Sequence, residues 1–231
     1  MSHNLVKKPA KGFTLLELLI VIAIIAVLSV ILVLVLNPAE TLKKSRDTQR
    51  MSDLSTLKTA LGLYLTSKTT PYLGAAASNT ACKTGSSYAA SDVIFYSYPN
   101  DSPGADITDV LLDGSSTSDQ PAAGQVAAAN LSKADATGWI PVNLSSLTGG
   151  APISNLPVDP TNSVTVGGVT STDLVYRYAC KTDNLTFEIN AQLESTAFTS
   201  DEDKRTKDGG NNDNYYEVGT ELTILGTGTD F

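Results

Sequence analysis

The chain has 231 residues, a formal net charge of -8 at neutral pH and 42% hydrophobic residues, which suits one or two domains. An acidic body argues against a nucleic-acid surface, because phosphate binding needs clustered Lys and Arg. The single histidine is His3 and the two cysteines are Cys82 and Cys180. Beyond His3 the residues for Ser-His-Asp or Cys-His catalysis and for His-ligated zinc are lacking, and two thiols cannot make a four-cysteine zinc site.

Residues 1–12 are basic, with Lys7, Lys8 and Lys11 and no acid, so the remainder carries -11 against -8 for the whole. Phe13 to Leu36 follows, 24 residues with one charge, Glu17. A helix of that length rises about 36 Å, enough to cross a hydrocarbon layer of about 30 Å. The run is too long for a secretory signal core and ends in "LVLVLNP" rather than in small residues, so a membrane span is expected. Lys and Arg occur on both sides of it (Lys43, Lys44, Arg46 and Arg50 follow), so counting them does not set the orientation. The large body lies beyond the span and is placed outside. Glu17 lies one turn inside. An acid costs about 2.5–3.5 kcal/mol at mid-bilayer and less near the interface. It either snorkels or awaits a cation, and its own chain offers no Lys or Arg at that depth. A free α-amino group, made by cutting the chain before Phe13, would serve in a neighbouring subunit.

The stretch "KGFTLLELLIVIAIIAVL" closely resembles the N-terminal signature of type IV prepilins and type II secretion pseudopilins. The resemblance implies a leader, residues 1–12, removed by a prepilin peptidase that cuts between Gly12 and Phe13 and N-methylates Phe13. Glu17 matches the family's glutamate at the fifth mature position, which neutralises the N-terminal amine of an adjacent subunit during assembly. Physically, such an ion pair in a low dielectric is strong only with both partners present, so it would fix the stacking register.

Asn37-Pro38-Ala39-Glu40 reads as a helix start, with Asn37 as N-cap, Pro38 at the first helical position and Glu40 closing a capping box. Pro38 therefore marks a kink or break after the span. The resemblance implies a segment there that can stretch or melt. Helical periodicity runs from Pro38 to about Lys68, with Leu54, Leu57, Leu61, Tyr64 and Leu65 on one stripe that needs a sheet to cover it. Arg50 and Asp53, three apart, read as a surface pair worth a few tenths of a kcal/mol, roughly. "RDTQRMSDL", Arg46–Leu54, is similar to pilin-like proteins and extends the resemblance.

Residues 71–137 are rich in Ala, Ser, Gly, Thr and Asp and read as a variable loop region. Within it Asp92–Pro99 is expected as a strand, Ile107–Gly114 as a strand or short helix, and Ser115–Gly124 as a loop. Residues 138–231 hold β-type stretches at Gly138–Leu144, Thr172–Cys180, Leu185–Ser195 and Asn214–Leu225, expected to form an antiparallel sheet of three or four strands. Cys82 and Cys180 are natural disulfide partners if the domain is exported, and two buried free thiols otherwise. "LPVDP", Leu156–Pro160, resembles the major-pseudopilin branch of the family. Asp201, Asp203, Asp208, Asn211 and Asp213 offer hard oxygens of the kind calcium takes. The spacing is not an EF-hand and does not match the family's calcium loop residue by residue, and a solvated acidic turn is the alternative. Sequons at Asn130, Asn143 and Asn184 are weak signals.

The expected architecture is α+β and pilin-like. A long N-terminal helix, membrane half 13–36 and amphipathic half 37–70, packs on a small antiparallel sheet, with a variable loop region at 71–137. No catalytic motif is present, so an enzyme is not expected, and no cofactor beyond calcium. The leading reading is a structural subunit of a type IV pilus-like filament, anchored in the cytoplasmic (inner) membrane by one span with its body outside. After assembly it would stand in a cell-surface or periplasmic filament. Its partners would be further copies and other pilins, prepilin peptidase, and the assembly ATPase and platform machinery. The alternatives are a type II secretion pseudopilin acting as a short periplasmic piston, and a single-pass membrane-anchored binding module.

Overall fold

The structure is a computed structural model and describes residues 12–101, 107, 121–164 and 172–227. Most of the leader, Thr108–Gly114 and Ser115–Gln120 lie outside these residues. The chain forms two compact units, Met1–Leu42 and Lys43–Phe231.

In the first unit, helix α1 covers Leu15–Leu36. It is apolar around its whole circumference, and every side chain described along it is exposed. A helix with no polar face suits lipid or the core of a larger assembly. Its one hydroxyl, Ser29, donates to the Ile25 carbonyl at 2.7 Å, which leaves no free donor on the apolar surface. α1 ends at Asn37 in the left-handed conformation, φ 36° and ψ 73°. Helix α2, Pro38–Ser67, starts at the next residue. Pro38 loses nothing at a first helical position, where its missing N–H would have had no partner. Asn37 Oδ1 accepts the Glu40 N–H at 3.4 Å, as expected of an N-cap.

In the second unit, α2 buries Leu54, Leu57, Ala60, Leu61 and Tyr64, while Leu65 is half-buried. The stripe packs on a five-stranded sheet made of β1 (Val93–Tyr96), β2 (Ala122–Gly124), β3 (Tyr176–Lys181), β4 (Thr186–Ala191) and β5 (Tyr216–Gly219). The strand order is β2-β1-β3-β4-β5. Alternate residues of the central strands, Tyr176, Tyr178 and Cys180 with Phe187, Ile189 and Ala191, form one core with the α2 stripe. The arrangement is α+β, as expected.

Three details differ from the sequence expectation. The sheet is mixed, because β1 pairs in parallel with β2. That strand lies in the part of Ser115–Gly124 expected to be a loop. Gly138–Leu144 is not a strand: its backbone is irregular, with one isolated bridge, Asp135 to Asn143, and a short 3-10 turn at Leu144–Ser146. Pro141 has no N–H to give a ladder. Gly138 passes so close to the Lys133 carbonyl that a Cβ would collide with it. The segment still serves the core, since Trp139, Ile140, Val142 and Leu144 are all fully buried and the indole N–H donates to the Pro157 carbonyl at 2.9 Å. Finally, β5 stops at Gly219, and the rest of Asn214–Leu225 closes the sheet's other face as an irregular segment.

Cys82 and Cys180 form a disulfide across 98 residues of sequence. It ties the loop before β1 to a central strand, and a loop of that length is worth about 2–4 kcal/mol.

Candidate functional site

Phe13 is 84% exposed, next to Gly12 at the start of the described chain. Thr14 caps α1. Its hydroxyl accepts the Glu17 N–H at 3.2 Å, and the Glu17 carboxylate accepts from the Thr14 N–H at 2.9 Å and the Thr14 hydroxyl at 2.8 Å. This reciprocal box satisfies two helix-end donors and places the acid against the positive end of the helix dipole. Both bonds fall on Oε2, and Oε1 receives none among the described residues. Glu17 is thus tied to Thr14, one turn from Phe13, with one oxygen that receives no donor among the described residues. Thr-x-x-Glu before an apolar run is the sequence signal of this capping box.

The exposed aromatic, the capped acid and most of the long apolar helix lie in a segment that matches a family model. Residues 7–33 fit the model of the prokaryotic N-terminal methylation motif. The N-terminus is a methylation motif of the type IV pilin and pseudopilin kind. No curated protein and no solved structure gives a significant match to the chain. The methylation motif marks a pilin-like substrate of prepilin peptidase that assembles with other pilin-type subunits. It points to a structural subunit rather than an enzyme, and with the α1 span it suits a single-pass membrane-anchored protein.

Away from the methylation motif, the densest chemistry surrounds Arg50. The surface pair with Asp53 expected from the sequence is not formed. Arg50 is fully buried. Its guanidinium donates to Asp159 at 2.6 and 2.9 Å, to Asp47 at 2.8 Å and to Glu194 at 2.6 Å. Asp53 instead accepts the Tyr176 hydroxyl at 2.9 Å. Arg46 adds a bidentate pair with Glu194 at 2.9 and 2.6 Å. Asp47 in turn accepts the backbone N–H groups of Glu194 and Ser195. The cluster joins α2, the "LPVDP" turn and the exit of β4. Burial opposes the charge on Arg50, but the hydrogen bonds and charge of Asp159, with Glu194 and Asp47, outweigh it and raise its pKa. Burial pushes Glu194 up, yet the bonds from Arg46 and Arg50 outweigh that and lower its pKa. A signal for the cluster was present: positions 47, 50, 54, 57, 61 and 64 step by three and four, so Asp47 and Arg50 continue the buried stripe.

The five calcium candidates lie in separate settings. Asp203 is bound by Arg205 at 2.9 Å, and burial raises Asp208, whose carboxylate accepts the Gly210 and Glu217 N–H groups. Asp201, Asn211 and Asp213 are exposed. Among the described residues no three acidic, His or Cys side chains converge in a way that could hold a metal. A shallow hollow lined by Ser55, Thr56, Thr59, Ala60, Pro152 and Ile153 offers only hydroxyls and apolar surface.

Proposed function

We propose that this chain is a structural subunit that polymerises through α1 into a type IV pilus-like filament after prepilin peptidase cuts between Gly12 and Phe13. The observation that carries this reading is a helix apolar on every side whose only charge, Glu17, is bonded to Thr14, next to Phe13. An all-apolar helix loses little on leaving lipid for a protein core, since both surroundings are apolar. A single carboxylate then selects the register, because it is costly wherever it meets no cation. In the processed subunit the new Phe13 amine is that cation, supplied by a neighbouring copy. Within the second unit, the Arg50 cluster ties α2 to Asp159 and Glu194. The body faces away from the reducing cytoplasm, in surroundings where the Cys82–Cys180 disulfide persists.

The test is Glu17→Leu. The variant inserts into membranes as the wild type does and yields no filaments; normal filament yield would overturn the register role. Filament length in the wild type separates the two assembly forms. Long surface fibres fit a pilus, and short membrane-bound stubs beside a secretion machine fit a pseudopilus.

A further inference from the structure

The face of the sheet turned away from α2 is closed by the segment Leu222–Gly226, which pairs with no strand among the described residues. Ile224 and Leu225 are fully buried there in one cluster with Ile94, Tyr96, Val175 and Ala179. Side chains, not a β-ladder, hold its backbone. The Ile224 and Leu225 N–H groups donate to Glu188 Oε2 at 2.8 and 2.9 Å. The Ile224 carbonyl accepts from Lys83 Nζ at 3.1 Å and from the Tyr88 hydroxyl at 2.9 Å. Asn212 donates through its side-chain amide to the Gly226 carbonyl at 3.0 Å.

Glu188 therefore grips the segment, and it does so from a fully buried position on β4. Its carboxyl lies within hydrogen-bonding reach of Glu217 on β5, which is 1% exposed and accepts the Asn212 N–H through Oε2 at 3.0 Å. The Oε1 atoms of both acids are buried with no N–H or O–H donor facing them among the described residues. Two carboxylates in contact away from water cannot both stay ionised, and one shared proton satisfies both orphaned oxygens.

We propose that Glu188 and Glu217 form a proton-held clasp on Leu222–Gly226. The clasp stays shut while the pair keeps one proton and loosens when that proton leaves, which bares the sheet face around Ile94, Tyr96 and Val175.

Burial, and then the neighbouring Glu217, push Glu188 well above its ordinary value of 4.5, and burial raises Glu217 as well. The charged and titratable groups around the pair come from every element packed there. They are Lys83, Tyr88 and Asp92 before β1, Tyr96 on β1, Arg177 on β3, Asp208 and Tyr215 before β5, and Glu221 beside the segment itself. Arg177 stacks on the Tyr215 ring at 4.3 Å, and Glu221 is paired with Lys181 at 2.7 Å. Lys83 is spent on the Ile224 carbonyl and lies over the Tyr88 ring at 4.3 Å. Neither Glu188 nor Glu217 has an ion pair among the described residues.

The test is hydrogen–deuterium exchange of the full-length protein in detergent micelles, read on peptides covering 221–227 and corrected for the intrinsic rate. In the wild type, protection of that segment falls about tenfold or more between about pH 5 and pH 9, while β3 and β4 peptides stay protected. Glu188→Gln keeps the acceptor for Ile224 and Leu225 and donates an N–H to Glu217, so its profile is flat. Glu217→Gln gives the same flat profile and stands in if the first variant does not fold. Wild-type protection that does not change with pH, or an equal fall in a folded Gln variant, overturns the clasp.

Discussion

Two buried charge clusters flank the same sheet and are built on opposite principles. On the α2 face, Arg50 receives three carboxylates, and Glu194 among them is held below its ordinary value. On the other face, Glu188 and Glu217 meet each other with no ion pair among the described residues and are both held above it. A buried ion pair is costly to break because the survivor is left charged in a poor solvent. A buried acid pair escapes that cost by keeping a proton. The first cluster is therefore a fixed joint and the second a titratable one.

Removing the joint should have the largest effect. Arg50→Ala strands Asp47 and Asp159 in the core and is expected to cost about 3–5 kcal/mol, read as a lowered denaturation midpoint. A loss under about 1 kcal/mol would show that the cluster is better solvated than its burial implies. The titratable side has its own steric key. A Cβ at Gly210 would collide with the Glu217 carboxyl, so Gly210→Ala should cost about 1–3 kcal/mol through overpacking. The same denaturation measurement checks it, and a neutral result would mean that Glu217 has room to turn.

The pH dependence separates the two clusters by sign. Glu194 is depressed, so its contribution is present above its ordinary 4.5 and is lost as pH falls through its folded value. Glu188 and Glu217 are raised, so their contribution is complete below 4.5 and is lost as pH rises toward their folded values. Unfolding followed across pH should show both flanks, and Glu188→Gln should remove only the alkaline one. Loss of the acid flank in that variant would mean the clusters are coupled. The smallest effect is expected at Asp53→Asn, which keeps an acceptor for the Tyr176 hydroxyl and should change stability by less than about 1 kcal/mol. A larger loss would add Asp53 to the Arg50 joint.

Sequence patterns revealed what is local. The apolar span, the Asn37-Pro38 break, the α2 stripe and the alternation of β3 and β4 follow from spacing of three to four or of two, and each is where those spacings put it. Long-range partners were hidden. Arg50 looked like a surface residue because its partners are 109 and 144 positions away, at Asp159 and Glu194. Glu188 alternates with Phe187 and Ile189 and so falls on the opposite face of β4, which the distant C-terminal segment covers. Gly138–Leu144 had strand composition, but Pro141 and the close approach at Gly138 turn it into an irregular plug of core residues. At the N-terminus the reverse holds: the methylation motif spans contiguous residues, 7–33, and was legible from sequence alone.

The measurement that bears most directly on the central claim is the intact mass and N-terminal peptide of the protein from native membranes. The account predicts a chain that begins at N-methylated Phe13, with the amine that Glu17 requires set free. A chain still carrying residues up to Gly12, in cells with an active prepilin peptidase, would contradict it and leave a membrane-anchored module that does not assemble.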